Sequence, residues 1–242
     1  MLKKERQNMI LELLKEKNYS TVTSLANRLF VAPITVRRDL DEMEASGLII
    51  RCHGGAALPD YENREVPFEL RNRSNFPAKE KIARKATELI HSGDVLFLDA
   101  SSTVSHITEY LSPEQNLTVI TNSIFVAERL KEKHILCYLT GGRPVENSYA
   151  LVGDIAQRVL MGCYANICFF SAQGIDENGV ISDQSERESA LRQTMLQNSE
   201  KQYFLYDRSK YGKRFTFRLC SVEEITDVIT DTDGTISAKN VV

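Results

Sequence analysis

Residues 31–40 read Val31-Ala-Pro-Ile-Thr-Val-Arg-Arg-Asp-Leu40, and this stretch decides the fold. Pro33 has no backbone N–H to satisfy and a φ already near the helical value, so it suits the first position of a helix. A helix opened there puts Ile34, Val36, Leu40 and Met43 on a buried side, with Ile50 adding to it further on. Gly47 closes it, because glycine tolerates the left-handed conformation of a helix end. Upstream, Met9, Ile10, Leu13 and Leu14 form one helical stripe within 5–16. Val22, Leu25, Ala26 and Leu29 form a second, with Thr23 as its expected N-cap. Phe30 and Val31 are expected to pack in the turn that follows. Two short helices joined by a tight turn, the second running on, predict a helix-turn-helix over about 20–39.

The polar face of that last helix carries the chemistry. Thr35, Arg37 and Arg38 fall in its first turns, the part of such a helix that reaches base edges and phosphates. Arginine is suited to a bidentate contact with guanine or to clamping a phosphate. The competing reading is a solvated surface on which Arg37 and Arg38 pair with Asp39, Asp41 and Glu42. The next segment, Gly47-Leu-Ile-Ile-Arg-Cys-His-Gly-Gly-Ala56, reads as strand, glycine turn and short return, the shape of a wing. Arg51 and His53 are expected at its exposed tip, with Gly54 letting backbone approach a phosphate closely.

Composition agrees with a DNA contact confined to one end. The 242 residues carry a net charge of -3, yet up to Arg38 the only acidic residues are Glu5, Glu12 and Glu16, against eight basic ones. Five scattered cysteines, none in a C-x-x-C pair, argue against a disulfide framework or a zinc site, and no metal is expected. No apolar run is of membrane-spanning length and the start lacks an apolar signal core, so no membrane partner and a cytoplasmic location are expected.

A polar stretch with Pro59, Pro67 and Pro77 follows, read as a linker over 59–76 between a DNA-binding domain, 1–58, and a second domain, 77–242. Phe68 and Leu70 are candidates for docking it on the second domain. From Lys79 onward, apolar strands at 95–98, 117–120, 135–139, 167–170 and 203–206 alternate with helical runs. That pattern predicts an α/β domain with a mainly parallel sheet covered on both faces. Ligands of such folds bind at the carboxyl ends of the strands.

Those ends read Asp99-Ala-Ser-Ser-Thr103, Thr121-Asn-Ser123, Thr140-Gly-Gly-Arg143, Gln173-Gly-Ile-Asp176 and Asp207-Arg-Ser-Lys-Tyr-Gly212. Hydroxyls and glycines ahead of helices suit phosphate binding. Asp99 is a candidate for sugar hydroxyls, and Lys210 or Arg143 for a phosphate. Polar turns required by any α/β fold would look similar. No dinucleotide or Walker pattern is present, so no nucleotide cofactor is expected.

Together, Arg6-Gln7 with Ile10 and Leu13, Val22-x-x-Leu-Ala26, Val36-Arg-Arg-Asp-Leu40, Gly47-Leu-Ile and Arg51-x-His-Gly-Gly-Ala56 resemble the DeoR family of bacterial transcriptional regulators. The resemblance continues through Asp99, Ser102-Thr103, Leu117–Ser123, Gly141-Gly142, Val152-Gly153, Gly174–Asp176, Glu188 and Asp207–Gly212. It implies an N-terminal winged helix-turn-helix and a sensor domain similar in fold to ribose-5-phosphate isomerase and the coenzyme A transferases. It also implies a repressor of a carbohydrate operon, acting as a dimer or tetramer on a double-stranded operator and released by a phosphorylated sugar.

By that resemblance Arg6, Thr35, Arg37, Arg38, Asp39, Arg51, His53 and Gly54 contact DNA. The effector pocket is lined by Asp99, Ser101, Ser102, Thr103, Thr121, Asn122, Ser123, Gly141, Gly142, Arg143, Asp176, Glu188 and Lys210. Four positions depart from the family pattern. Ala32 stands for a capping serine, Pro33 for a polar residue, Ser101 for a glycine and Val104 for a threonine. An activator of the same class is an alternative. So is an isomerase-like enzyme, with Asp99 and Glu188 as acid–base groups and Lys210 as phosphate anchor.

Overall fold

A computed structural model describes residues 2–17, 19–52, 54–58, 67–146 and 148–232. The chain forms two compact units, Met1–Val66 and Pro67–Val242.

The first unit is built on α1 (Lys3–Lys17), α2 (Val22–Leu29) and α3 (Pro33–Ala45). Three short strands complete it: β1 (Tyr19–Thr21), β2 (Ile50–Cys52) and β3 (Gly55–Ala57), in the order β1-β3-β2 and antiparallel. Its core gathers Ile10 and Leu14 of α1, Val22, Leu25 and Leu29 of α2, and Val36, Leu40 and Met43 of α3. Each such side chain contributes about 1.5–3 kcal/mol on burial. Pro33 opens α3 as expected, behind an Ala32 that makes no side-chain cap. Gly47 has φ +71, and its N–H and that of Leu48 bond back to the carbonyls of Glu44 and Met43, which satisfies the helix end.

Three local expectations fail here. The cap of α2 is Thr21, not Thr23: its hydroxyl accepts from the Ser24 N–H at 3.0 Å. Strand β1 runs extended up to Thr21, so the helix begins one residue later. Phe30 does not pack in the turn; it ends α2 with φ 54 and its ring is 92% exposed. Ile34 is 55% exposed rather than buried, and Ile49 fills the core place instead. The reason is angular. At 100° per residue Ile34 lies opposite Val36 and Met43.

In the second unit β4 (Val95–Leu98), β5 (Thr118–Thr121), β6 (Leu136–Leu139), β9 (Ala165–Phe170), β12 (Ser199–Tyr206) and β14 (Asp227–Thr230) form a parallel sheet. Their order is β14-β12-β9-β4-β5-β6. Alternation along the strands splits the core in two. Leu96, Leu98, Val119, Phe169 and Leu205 face α5 (Phe76–Thr87) and α7 (Ile124–Glu132). Phe97, Ile120, Phe170 and Phe204 face α8 (Asp154–Met161) and α9 (Glu186–Gln197). A smaller antiparallel sheet of β10 (Gly174–Ile175), β11 (Val180–Asp183) and β13 (Phe217–Ser221) was not expected, nor was β14. A β-ribbon, β7 (Arg143–Pro144) with β8 (Leu151–Val152), follows β6.

Residues 67–76, read as the end of a linker, belong to this unit. They carry α4 (Phe68–Arg73), and Phe68 is fully buried with its ring 5.0 Å from that of Phe125 and 5.1 Å from that of Tyr149.

Candidate DNA and effector sites

The acidic residues of α3 do not neutralise its arginines. Asp39 is buried and takes both Nε and Nη2 of Arg6, the latter at 2.9 Å. This pair locks α1 to α3, and the bond to Asp39 raises the Arg6 pKa above its ordinary value. Arg6 and Asp39, both expected at DNA, are therefore turned on each other. Asp41 faces the Arg51 guanidinium at 3.5 Å, and Glu42 pairs with Lys3 and accepts from Gln7. Arg51 is thereby half-buried rather than free at a wing tip. Arg37 and Arg38 are left exposed, with no ion-pair or hydrogen-bond partner among the described residues. Thr35 is half-buried beside them, Gly54 is exposed at the wing turn with φ +75, and His53 lies outside the described residues.

In the second unit the chain leaves β4 toward β5 on one side and later returns to β9 on the other. In open α/β sheets such a switch point is where ligands bind. Asp99 stands there, almost fully buried. Its Oδ1 accepts from the Ser101 N–H at 3.1 Å and its Oδ2 from the Ser171 N–H at 3.4 Å.

A residue absent from the sequence reading dominates this region. Arg192 of α9 donates from Nε to Asp99 at 2.6 Å, from Nη1 to Asp183 at 3.0 Å and from Nη2 to Glu188 at 2.9 Å. All four side chains are buried. Burial alone would lower the Arg192 pKa, but the three carboxylates raise it above the ordinary value. Asp99, expected to hold sugar hydroxyls, and Glu188, expected to line the effector pocket, are thus first of all partners of Arg192. The signal was present in the sequence: Glu188, Leu191, Arg192 and Met195 share one face of α9, so an arginine sits on its buried side.

Beside this cluster lies a second feature, also unforeseen. Lys79 of α5 is buried, and its ammonium donates to the Arg71 carbonyl and, at 3.1 Å, to Ser102 Oγ. Among the described residues no carboxylate pairs with it directly. Burial pushes its pKa down to about 8; Asp207 pulls it up, and Lys210 and Arg71 push it further down. Burial also lowers Lys210, which shares the influence of Asp207 and Arg71. Lys79 thus reaches the first residue of α6 (Ser102–Ser105), and Lys210 and Arg71 add positive charge near its ammonium. Ser101, the departure from the family glycine, caps α6 by accepting from the Val104 N–H at 3.2 Å.

The other expected pocket residues divide. Asn122 is buried and donates to the Leu151 carbonyl at 3.1 Å, while its Oδ1 has no hydrogen-bond partner among the described residues. Thr121 braces β4 through the Leu98 carbonyl at 2.6 Å, and Ser123 caps α7. Thr103 is buried in the α6 turn. Gly141 and Gly142 both have positive φ, and a Cβ on Gly142 would lie 2.7 Å from the Val152 carbonyl oxygen. That glycine serves close packing. Arg143 is exposed on β7. Asp176 is spent on its own turn: it accepts from the Asn178 and Val180 N–H groups at 2.9 Å and pairs with Arg214. Burial would raise its pKa, but these bonds together lower it.

A winged helix followed in one chain by an α/β unit with polar side chains gathered at its switch point defines a class, the ligand-responsive DNA-binding regulators. The DeoR-like helix-turn-helix domain matches residues 6–62, and the DeoR C terminal sensor domain matches residues 74–232. The chain belongs to the DeoR family of transcriptional regulators. It is 34% identical to the L-fucose operon activator of Haemophilus influenzae over 93% of this chain and 91% of that one. It is 30% identical to the glycerol-3-phosphate regulon repressor of Escherichia coli over 100% of this chain and 96% of that one. Ribose 5-phosphate isomerase A of Methanocaldococcus jannaschii aligns at 18% identity and a TM-score of 0.44, over 57% of this chain and 55% of that one. Among the described residues no helix is long and apolar enough to cross a membrane.

Proposed function

We propose that the protein represses a carbohydrate operon and that a phosphorylated sugar, bound at the switch-point crevice, weakens its hold on the operator. The observation that carries the effector reading is Lys79. A buried ammonium without a direct carboxylate partner is costly, and a phosphate at the Ser101–Thr103 turn would supply the missing charge. Lys210 and Arg71 add to the same field. The unpartnered Oδ1 of Asn122 offers an acceptor for a sugar hydroxyl. The names of relatives support the class of signal: one is a glycerol-3-phosphate regulon repressor and another a lactose phosphotransferase system repressor. A relative named as an activator marks the alternative sign of control.

An enzymatic reading loses its acid–base pair, because Asp99 and Glu188 are both held by Arg192. Arg37, Arg38 and Thr35 are the proposed DNA contacts, on a homodimer or tetramer whose paired helices enter successive major grooves.

Lys79 gives the effector reading a pH signature. A bound phosphate raises the Lys79 pKa above the value of about 8 in the free protein. Below pH 8 the lysine is already charged, so binding takes up few protons. Above pH 8 binding must bring a proton with it, and affinity falls as pH rises. Titration calorimetry in buffers of different ionisation enthalpy should show proton uptake near zero at about pH 7, approaching one at about pH 9. Lys79→Met should abolish the uptake and weaken binding at least about tenfold, the value of one charged hydrogen bond. Equal uptake in wild type and variant would reject Lys79 as the phosphate partner. In the free protein the folded state holds this proton less tightly than the unfolded one, whose lysine titrates near 10.5. Its stability therefore rises between about pH 8 and 10.5.

A further inference from the structure

We infer that Ile34 reads the 5-methyl group of a thymine in the operator's major groove, between the contacts made by Arg37 and Arg38. The inference rests on α3 being the recognition helix. Ile34, Arg37, Arg38 and Asp41 recur at i, i+3, i+4 and i+7 and so share one face of α3. Val36, Asp39, Leu40 and Met43 occupy the opposite, buried face. Ile34 is 55% exposed and takes no part in the core of its unit. It stands in the first helical turn, the part of a recognition helix that reaches base edges.

The approach to this turn offers no polar reader. Ala32 and Pro33 have no hydrogen-bonding side chain, and Phe30 just before them is 92% exposed. The entry to α3, from Phe30 to Ile34, is therefore apolar and is followed by two guanidinium groups without a partner among the described residues. Arginines of that kind draw the helix toward DNA, and a branched aliphatic side chain between them cannot read a donor or an acceptor. What the major groove displays to an apolar side chain is the thymine methyl. An apolar protein partner would suit the isoleucine alone but not its two cationic neighbours. Burying one methyl-sized group is worth about 0.8 kcal/mol, or about fourfold in affinity.

The test removes that methyl and nothing else. Duplexes selected by the full chain from a randomised pool define the operator. Each thymine is then replaced singly by deoxyuridine, and affinity is measured by fluorescence anisotropy at one fixed salt concentration. At least one replacement should weaken wild-type binding by about fourfold. Ile34→Val should stay sensitive at that position, and Ile34→Ala should become indifferent to it. Wild-type indifference at every thymine overturns the inference while leaving α3 as the recognition helix. Full sensitivity in Ile34→Ala overturns it equally. A pool from which no sequence is enriched overturns the reading of α3 itself, and the inference with it.

Discussion

Arg192→Met should destabilise the second unit by about 3–5 kcal/mol, the usual cost of leaving buried charges without their partner. Three carboxylates, Asp99, Asp183 and Glu188, converge on this one guanidinium at 2.6 to 3.0 Å. Methionine keeps much of the volume but none of the five donors. The carboxylates would then repel one another in a site that water reaches poorly.

Urea unfolding followed by circular dichroism is the suitable readout, since the chain has no tryptophan. A second variant separates charge from packing. Arg192→Met combined with Asp99→Asn, Asp183→Asn and Glu188→Gln removes the stranded charges, and should recover a large part of the loss. A loss below about 1 kcal/mol in Arg192→Met would show that the cluster is not the keystone of the crevice. Effector binding should fail in the same variant, because Asp99 holds the turn that leads to Ser101 and Ser102.

The double variant Arg37→Ala, Arg38→Ala should lose about 2–6 kcal/mol of operator binding, taking about 1–3 kcal/mol for each arginine contact. The acids around these arginines are committed elsewhere: Asp39 to Arg6, Asp41 to Arg51 and Glu42 to Lys3. No partner among the described residues is lost on substitution, so stability and effector affinity should stay within the usual range of surface changes, about 0.5 kcal/mol. If either arginine meets a phosphate, the dependence of log affinity on log salt should flatten by about one for that contact. Operator binding within about twofold of wild type would exclude this face of α3 from the interface, since a real contact is worth more than that.

Local signals were readable from the chain. Pro33 and Gly47 bracket α3 because each satisfies a helix end by its own backbone chemistry. The parallel sheet was readable because its strands carry apolar runs, although the expected cover on both faces fails at the edge strand β6, where Leu136, Tyr138 and Leu139 are exposed. Long-range pairing was not readable. Asp99 and Arg192 are 93 residues apart, and Arg6 and Asp39 are 33 apart. Nothing in a local pattern tells a carboxylate meant for a ligand from one meant for a buried arginine.

Lys79 was hidden differently, in a helix that also carries Lys81, Arg84 and Lys85, where a lysine looks like ordinary surface charge. Ile34 was misplaced on the assumption that isoleucine belongs in the core, although its angle to Val36 already argued otherwise. The strands β10, β11, β13 and β14 escaped notice because glycine or polar residues interrupt their short apolar runs.

A phosphorylated sugar bound at the strand ends of the second unit is expected to control the DNA hold of α3 in the first. The most direct measurement is fluorescence anisotropy of a selected operator duplex bound to the full chain, titrated with phosphorylated sugars and with the same sugars lacking phosphate. The expected result is that at least one phosphorylated compound releases the DNA while its unphosphorylated counterpart does not. DNA affinity unchanged by every phosphorylated sugar, or changed equally by both forms, would contradict the account.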